Sequence, residues 1–190
     1  MLPGINEIEK EILGLQDRKD NVMNVSRELI RLTGKCITMM HTGDMKAAGK
    51  MLKEVSLMVK KLEKDDAGFE YNSQQAYQEY VEAAVLYSIL GKRKIPTDKE
   101  LGVECIPYLL GLLDVMGELK REVMEKLRKD DSETAEEYYN FMVEIHDSLL
   151  PLRFSSSLIM DFRKKQDVGR IQLESVSSEL LSFKNRCGGK

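Results

Sequence analysis

Ile106-Pro107-Tyr108-Leu109-Leu110-Gly111-Leu112-Leu113-Asp114-Val115-Met116-Gly117-Glu118-Leu119 carries only two charges, and both are carboxylates, four residues apart. Apolar residues are too dense in it for the alternation of a half-buried strand and cover most of a helix circumference. On that helix Asp114 and Glu118 share one face, with Cβ atoms roughly 5–6 Å apart. An ionised carboxylate without a partner in apolar surroundings is expensive. The pair is therefore turned to water, bound to a cation, or partly protonated.

The helical period continues in both directions. Pro107 suits the first turn of this helix, which continues to about Lys129. Asp131-Ser132 caps the next helix, with Phe141, Ile145 and Leu149 on its apolar side and a stop before Pro151. A last helix is expected from around Ser156 to Asn185, followed by a frayed tail. Upstream, Ile5, Ile8, Ile12, Leu15, Val22, Val25, Leu29, Leu32, Cys36 and Met39 form the stripe of one long helix ending near His41. Thr42-Gly43-Asp44 closes it and caps a second helix with the stripe Ala48, Met51, Val55, Met58 and Leu62. Ser73 is expected to cap a third, running to Gly91, and Thr97-Asp98-Lys99-Glu100 has capping-box spacing. The pattern predicts an all-α, single-domain antiparallel bundle of six or seven helices over residues 1–190.

The 190-residue chain is 42% hydrophobic and has a net charge of -3, enough apolar content for a core and too little positive charge for a general nucleic-acid coat. No apolar run is long enough for a membrane span and no basic leader precedes an apolar segment, so a soluble, cytoplasmic protein is expected. Cys36, Cys105 and Cys187 lack any CxxC spacing and read as plain thiols.

A second acidic pair, Glu79 and Glu82, lies three residues apart on the third helix. If the two helices pack side by side, four carboxylates converge. An oxygen-only set suits Mg2+ or Mn2+ rather than zinc or copper, and such an ion can activate water against a phosphodiester. Taken alone, Glu79 and Glu82 also fit a solvated helix face. A ferritin-like di-iron bundle needs Glu-x-x-His, and neither His41 nor His146 has a Glu three residues before it. His41 and His146 are expected as surface or satisfied polar residues. Gly111 and Gly117 leave room beside the acids for a substrate backbone or for a neighbouring helix.

Arg27, Arg31 and Lys35 recur every four residues and make a basic stripe, the candidate phosphate contacts for a polyanion, with pairing to acids such as Glu28 as the competing reading. Tyr77, Tyr80 and Tyr87 are either base-stacking surface or core.

The phrases Gln78-Glu79-Tyr80-Val81-Glu82-Ala83 and Pro107 through Leu119, with Asn24-Val25-Ser26-Arg27-Glu28-Leu29-Ile30 and Leu173-Glu174-Ser175-Val176-Ser177-Ser178-Glu179-Leu180, resemble the translin superfamily, specifically its translin-associated factor X branch. The resemblance implies a Mg2+- or Mn2+-dependent endoribonuclease for single-stranded RNA, with Glu79, Glu82, Asp114 and Glu118 as metal-binding catalytic acids. It also implies a closed octameric shell with an interior site. The compact chain lacks the basic N-terminal extension of the eukaryotic branch, which points to a microbial, archaeal-type member, for which a homo-oligomer, an octamer, is a simpler expectation than pairing with a separate translin subunit. The rival expectation is a non-catalytic shell of translin type that binds single-stranded RNA or DNA.

Overall fold

The computed structural model describes residues 3–187, with side chains through residue 186. It contains α1 (Ile5–His41), α2 (Met45–Asp65), α3 (Glu70–Leu90), the single turn α4 (Asp98–Leu101), α5 (Cys105–Arg128), α6 (Ser132–Leu149) and α7 (Phe162–Cys187). Among the described residues there is no strand, and the expected all-α bundle is what forms.

α3 and α5 pack against each other at the centre. α1 and α2 flank α3, and α6 and α7 flank α5. α3 occupies the middle because small and apolar residues cover nearly its whole circumference: Ala76, Val81, Ala83, Val85, Leu86 and Ile89 are all buried. The close approach of α3 and α5 depends on Gly111. A Cβ there would lie 2.7 Å from the Gln78 carbonyl oxygen and 2.7 Å from Val81 Cβ, so the glycine leaves room for a helix and not for a substrate. Gly117 likewise faces α7, where an added Cβ would meet Gln172 Nε2 at 3.3 Å.

Several local expectations hold. Asp44 accepts from Ala47 N and Asp131 from Thr134 N as N-caps, and Thr97 and Glu100 form a reciprocal capping box. Cys36 is buried and Cys105 exposed; the Cys187 side chain and residues 188–190 of the expected frayed tail lie outside the described residues.

Others are corrected. Ser73 is not the cap of α3, which begins at Glu70 after Phe69. Ser73 sits inside the helix, fully buried, and donates its hydroxyl to Asp66; Tyr77 donates to the same carboxylate at 2.7 Å. A residue that resembles a cap in sequence is thus half of a buried tie between α3 and the end of α2. α7 starts at Phe162, not near Ser156. Asp161 adopts φ 61°, the left-handed conformation that ends a turn, and Ser155 O instead accepts from Leu158 N and Ile159 N. Phe141 is only half-buried; Ala135, Tyr138, Met142, Ile145 and Leu149 form the buried side of α6.

The α1 stripe splits in two. Val22, Leu29 and Cys36 are fully buried, whereas Ile5, Ile8, Ile12 and Leu15 are 43–58% exposed. Length explains the difference. α1 spans about 55 Å against about 32 Å for α2. Arg18 marks where the flank ends, donating to the Ala67 carbonyl and stacking on Phe69.

Candidate active site

Side-by-side packing of α3 and α5 brings Glu79 and Glu82 opposite Asp114 and Glu118. All four are partly buried. The proximity is evident in their ionisation. Burial, followed by the negative charges of Asp114, Glu79 and Glu118, pushes the Glu82 carboxyl up to about 8, with Lys165 partly offsetting the shift. Glu79 is raised as well, by burial first, with Asp114 and Glu118 adding to it while a hydrogen bond from Gln75 and the charge of Lys165 oppose it. A pair on a solvated face would not be perturbed in this way. Glu79 and Glu82 therefore belong to a shared acidic centre.

Two of the four acids are held by cations from outside the α3–α5 pair. Lys165, in the first turn of α7, forms an ion pair with Asp114 Oδ1, and Gln78 Nε2 donates to Asp114 Oδ2. His41, the last residue of α1, lies between two glutamates of α5: its Nε2 bonds Glu118 and its Nδ1 bonds Glu122 at 2.5 Å. The His41 side chain is 6% exposed, so it is a buried, doubly bonded imidazole rather than a surface residue. Its hydrogen bonds to Glu118 and then Glu122 raise its pKa to about 9, and His41 in turn holds the Glu118 carboxyl below the usual range. Lys165, Gln78, His41 and Glu122 were not singled out as site residues from the sequence. The one available signal was Glu122 itself, which repeats the Glu118 face one turn later in a helix with few exposed positions.

The raised pKa values of Glu82 and His41 each make folding stability fall as pH rises, whereas the lowered value of Glu118 contributes stability above its unfolded pKa that is lost in acid. Glu82 binds its proton more tightly folded than unfolded, so its contribution is complete below about 4.5 and is lost by about 8. Replacing it with Gln is expected to remove that slope and raise stability at pH 8 by on the order of 2–4 kcal/mol, read from denaturant midpoints across pH. His41 also binds its proton more tightly folded. Its stabilisation is full below about 6.5 and is lost as pH passes about 9. His41→Ala leaves Glu118 and Glu122 without their shared cation, an expected loss of about 3 kcal/mol at pH 6 that shrinks toward pH 9.5 in the same titration.

The donor chemistry fits a hard divalent cation: five carboxylates, counting Glu122, face two protein cations. As the side chains stand, no three His, Cys, Asp or Glu donors among the described residues close around a single ion position. In that arrangement Lys165 engages Asp114 and His41 engages Glu118.

The other sequence candidates lie elsewhere. Arg27, Arg31 and Lys35 are exposed on α1, and Arg31 is paired with Glu28 through Nε at 2.7 Å and through Nη2. Tyr77 and Tyr80 are core residues, at 8% and 4% exposure, and Tyr87 is half-buried, so the tyrosines do not form a base-stacking surface. A larger cavity of about 620 Å3 lies near the end of α2 and the start of α5, lined in part by Glu63, Asp66, Glu70 and Glu104. Its acidic walls oppose an RNA backbone. No helix among the described residues is long and apolar enough to cross a membrane.

Comparison with known proteins agrees with this architecture. AfC3PO, solved as a complex with duplex RNA, matches with a TM-score of 0.89 and 26% identity over 98% of this chain and 99% of its own. Apo-NeC3PO matches with a TM-score of 0.88 and 27% identity, over 96% and 98% respectively. An uncharacterized protein of Methanocaldococcus jannaschii is 34% identical over 172 residues, 87% of this chain and 76% of the relative. The model of the Translin family matches residues 17–181, a span that includes all four acids, and the chain belongs to that family.

Proposed function

We propose that the protein is a metal-dependent endoribonuclease that cleaves single-stranded RNA inside a homo-oligomeric, octameric shell. The observation that carries this reading is the convergence of Glu79, Glu82, Asp114 and Glu118, with Glu82 pushed up to about 8 by burial and by its acidic neighbours. A carboxyl whose pKa is raised first by burial and then by its acidic neighbours has no structural use in a fold that could have placed apolar residues there, and a bound cation would favour its ionised form. The four carboxylates would hold Mg2+ or Mn2+, and a bound ion there supplies charge neutralisation for the phosphodiester and favours ionisation of a water. Glu79 and Glu82 approach from α3 and Asp114 and Glu118 from α5, so an attacking water is flanked by carboxylates able to take its proton. Gln78 fixes the Asp114 carboxylate and His41 fixes that of Glu118.

Binding of duplex RNA by AfC3PO supports RNA as the ligand class. Assembly is supported by the exposed apolar stripe Ile5, Ile8, Ile12 and Leu15 on the projecting part of α1, together with Val168 and Ile171 on α7. Arg27, Arg31 and Lys35 remain the proposed, more distant phosphate contacts.

A labelled single-stranded RNA incubated with the wild-type protein tests the reading. Internal cleavage with Mn2+ or Mg2+ and none with EDTA is the expected result. Binding without cleavage under every metal condition would instead make the protein a non-catalytic RNA-binding shell.

A further inference from the structure

The cavity beside Asp114 differs from the larger acidic one. It has a volume of about 340 Å3 and is lined by two carboxylates, Asp114 and Asp161, two ammonium groups, Lys164 and Lys165, and by Leu113, Val168 and Gln172. That size lies at the small end of ligand clefts, about 300–1,000 Å3. Its position matters more than its size: it opens beside one proposed metal-binding acid and is bordered by two cations. Lys165 is 27% exposed and its partner Asp114 24%, so the ammonium sits at the boundary between the acidic centre and the cavity. Lys164 is exposed next to it.

A lysine in this position competes with any divalent ion for the same carboxylate. When the ion takes Asp114, the ammonium loses its partner and is repelled by the incoming charge. The flexible four-carbon stem then allows it to turn toward an anion in the cavity. The anion that suits this position is a phosphate of the RNA held for hydrolysis, because a phosphodiester next to the four acids and Asp161 brings negative charge that a nearby ammonium offsets together with the divalent ion.

We propose that Lys165 is an exchangeable counter-cation: it neutralises Asp114 while no divalent ion is bound, and it contacts a phosphate of single-stranded RNA in the adjoining cavity once the ion occupies the acids. This rests on the metal-dependent reading given above. A lysine that pairs with Asp114 but never contacts RNA would, when removed, tighten Mn2+ binding and leave KM at saturating Mn2+ unchanged. Removing an exchangeable cation tightens Mn2+ binding and raises KM.

Lys165→Met and Lys165→Gln, two variants so that a packing effect of one side chain is recognised, are compared with wild type. Mn2+ binding to the RNA-free protein is measured by calorimetry, and KM and kcat for a labelled single-stranded RNA are measured with saturating Mn2+. Both variants are expected to bind Mn2+ roughly tenfold more tightly, since a competing charge is gone, and to raise KM roughly tenfold. Lys165→Arg is expected to retain the wild-type KM more closely than either. Mn2+ binding by the wild type with unchanged or weakened binding by both variants, or tighter Mn2+ binding with an unchanged KM, would overturn the inference about Lys165 alone. Absence of Mn2+ binding by the wild type would overturn both the inference and the metal-dependent reading.

Discussion

Asp114→Asn is expected to lose Mn2+-dependent RNA cleavage by roughly 10²-fold or more while keeping its fold. The substitution changes almost nothing but charge. Asparagine has the same volume, and its carbonyl can still accept from Gln78 Nε2, so the link between α3 and α5 survives. What disappears is the anion that faces Glu79 and Glu82 across the helix interface and draws Lys165 from α7. A metal-binding role therefore predicts a collapse in kcat with little change in the far-ultraviolet circular dichroism or in the melting temperature. Full activity in the variant would remove Asp114 from the site. A large fall in melting temperature would recast Asp114 as a packing residue.

Gly111→Ala is expected to produce the largest structural effect of any single methyl group in the chain. The added Cβ would meet a backbone oxygen, Gln78 O, and Val81 Cβ, both at 2.7 Å, and neither is the free end of a side chain. α3 and α5 must separate, at about 1–3 kcal/mol for overpacking. The same separation moves Glu79 and Glu82 away from Asp114 and Glu118, so cleavage should fall further than the melting temperature alone would suggest. Gly49→Ala is the natural control. Its Cβ would meet the Tyr87 ring at its hydroxyl end, 2.3 Å from Oη, which can swing toward the surface. Thermal melts and cleavage rates on both variants separate helix spacing from simple loss of stability. Equal effects of the two substitutions would argue against Gly111 setting that spacing.

The helical layout was legible because it rests on local signals. Period, caps at Asp44, Thr97 and Asp131, and the two acidic pairs all lie within a few residues of their own cause. The failures lie where a distant contact overrides the local signal. Ser73 has the residue type of a cap, but Asp66 draws it into the interior; Ser156 has the appearance of a helix start, but the turn at Asp161 delays α7 until Phe162. The site follows the same rule. Spacing placed Glu79 with Glu82 and Asp114 with Glu118. No periodicity could show that α1 ends with an imidazole between Glu118 and Glu122, or that α7 brings Lys165 to Asp114 from 51 residues away. These second partners matter because they decide which acids are already paired with a cation and which, like Glu82, have their pKa raised by burial and acidic neighbours.

The exposed stripe on α1 has a similar explanation. Periodicity identifies Ile5, Ile8, Ile12 and Leu15 as apolar on one side, but what covers that side depends on where α2 and α3 end. They end near Arg18. The same helix thus serves the core over its second half and leaves its first half for contact with another surface.

Anomalous scattering from Mn2+ in crystals of the wild-type protein locates the ion. The expected result is a peak enclosed by the carboxylates of Glu79, Glu82, Asp114 and Glu118, with Lys165 moved off Asp114. A peak held instead by the acids of the larger cavity, Glu63, Asp66, Glu70 and Glu104, with Asp114 still engaged by Lys165 and Glu118 by His41, would contradict that placement.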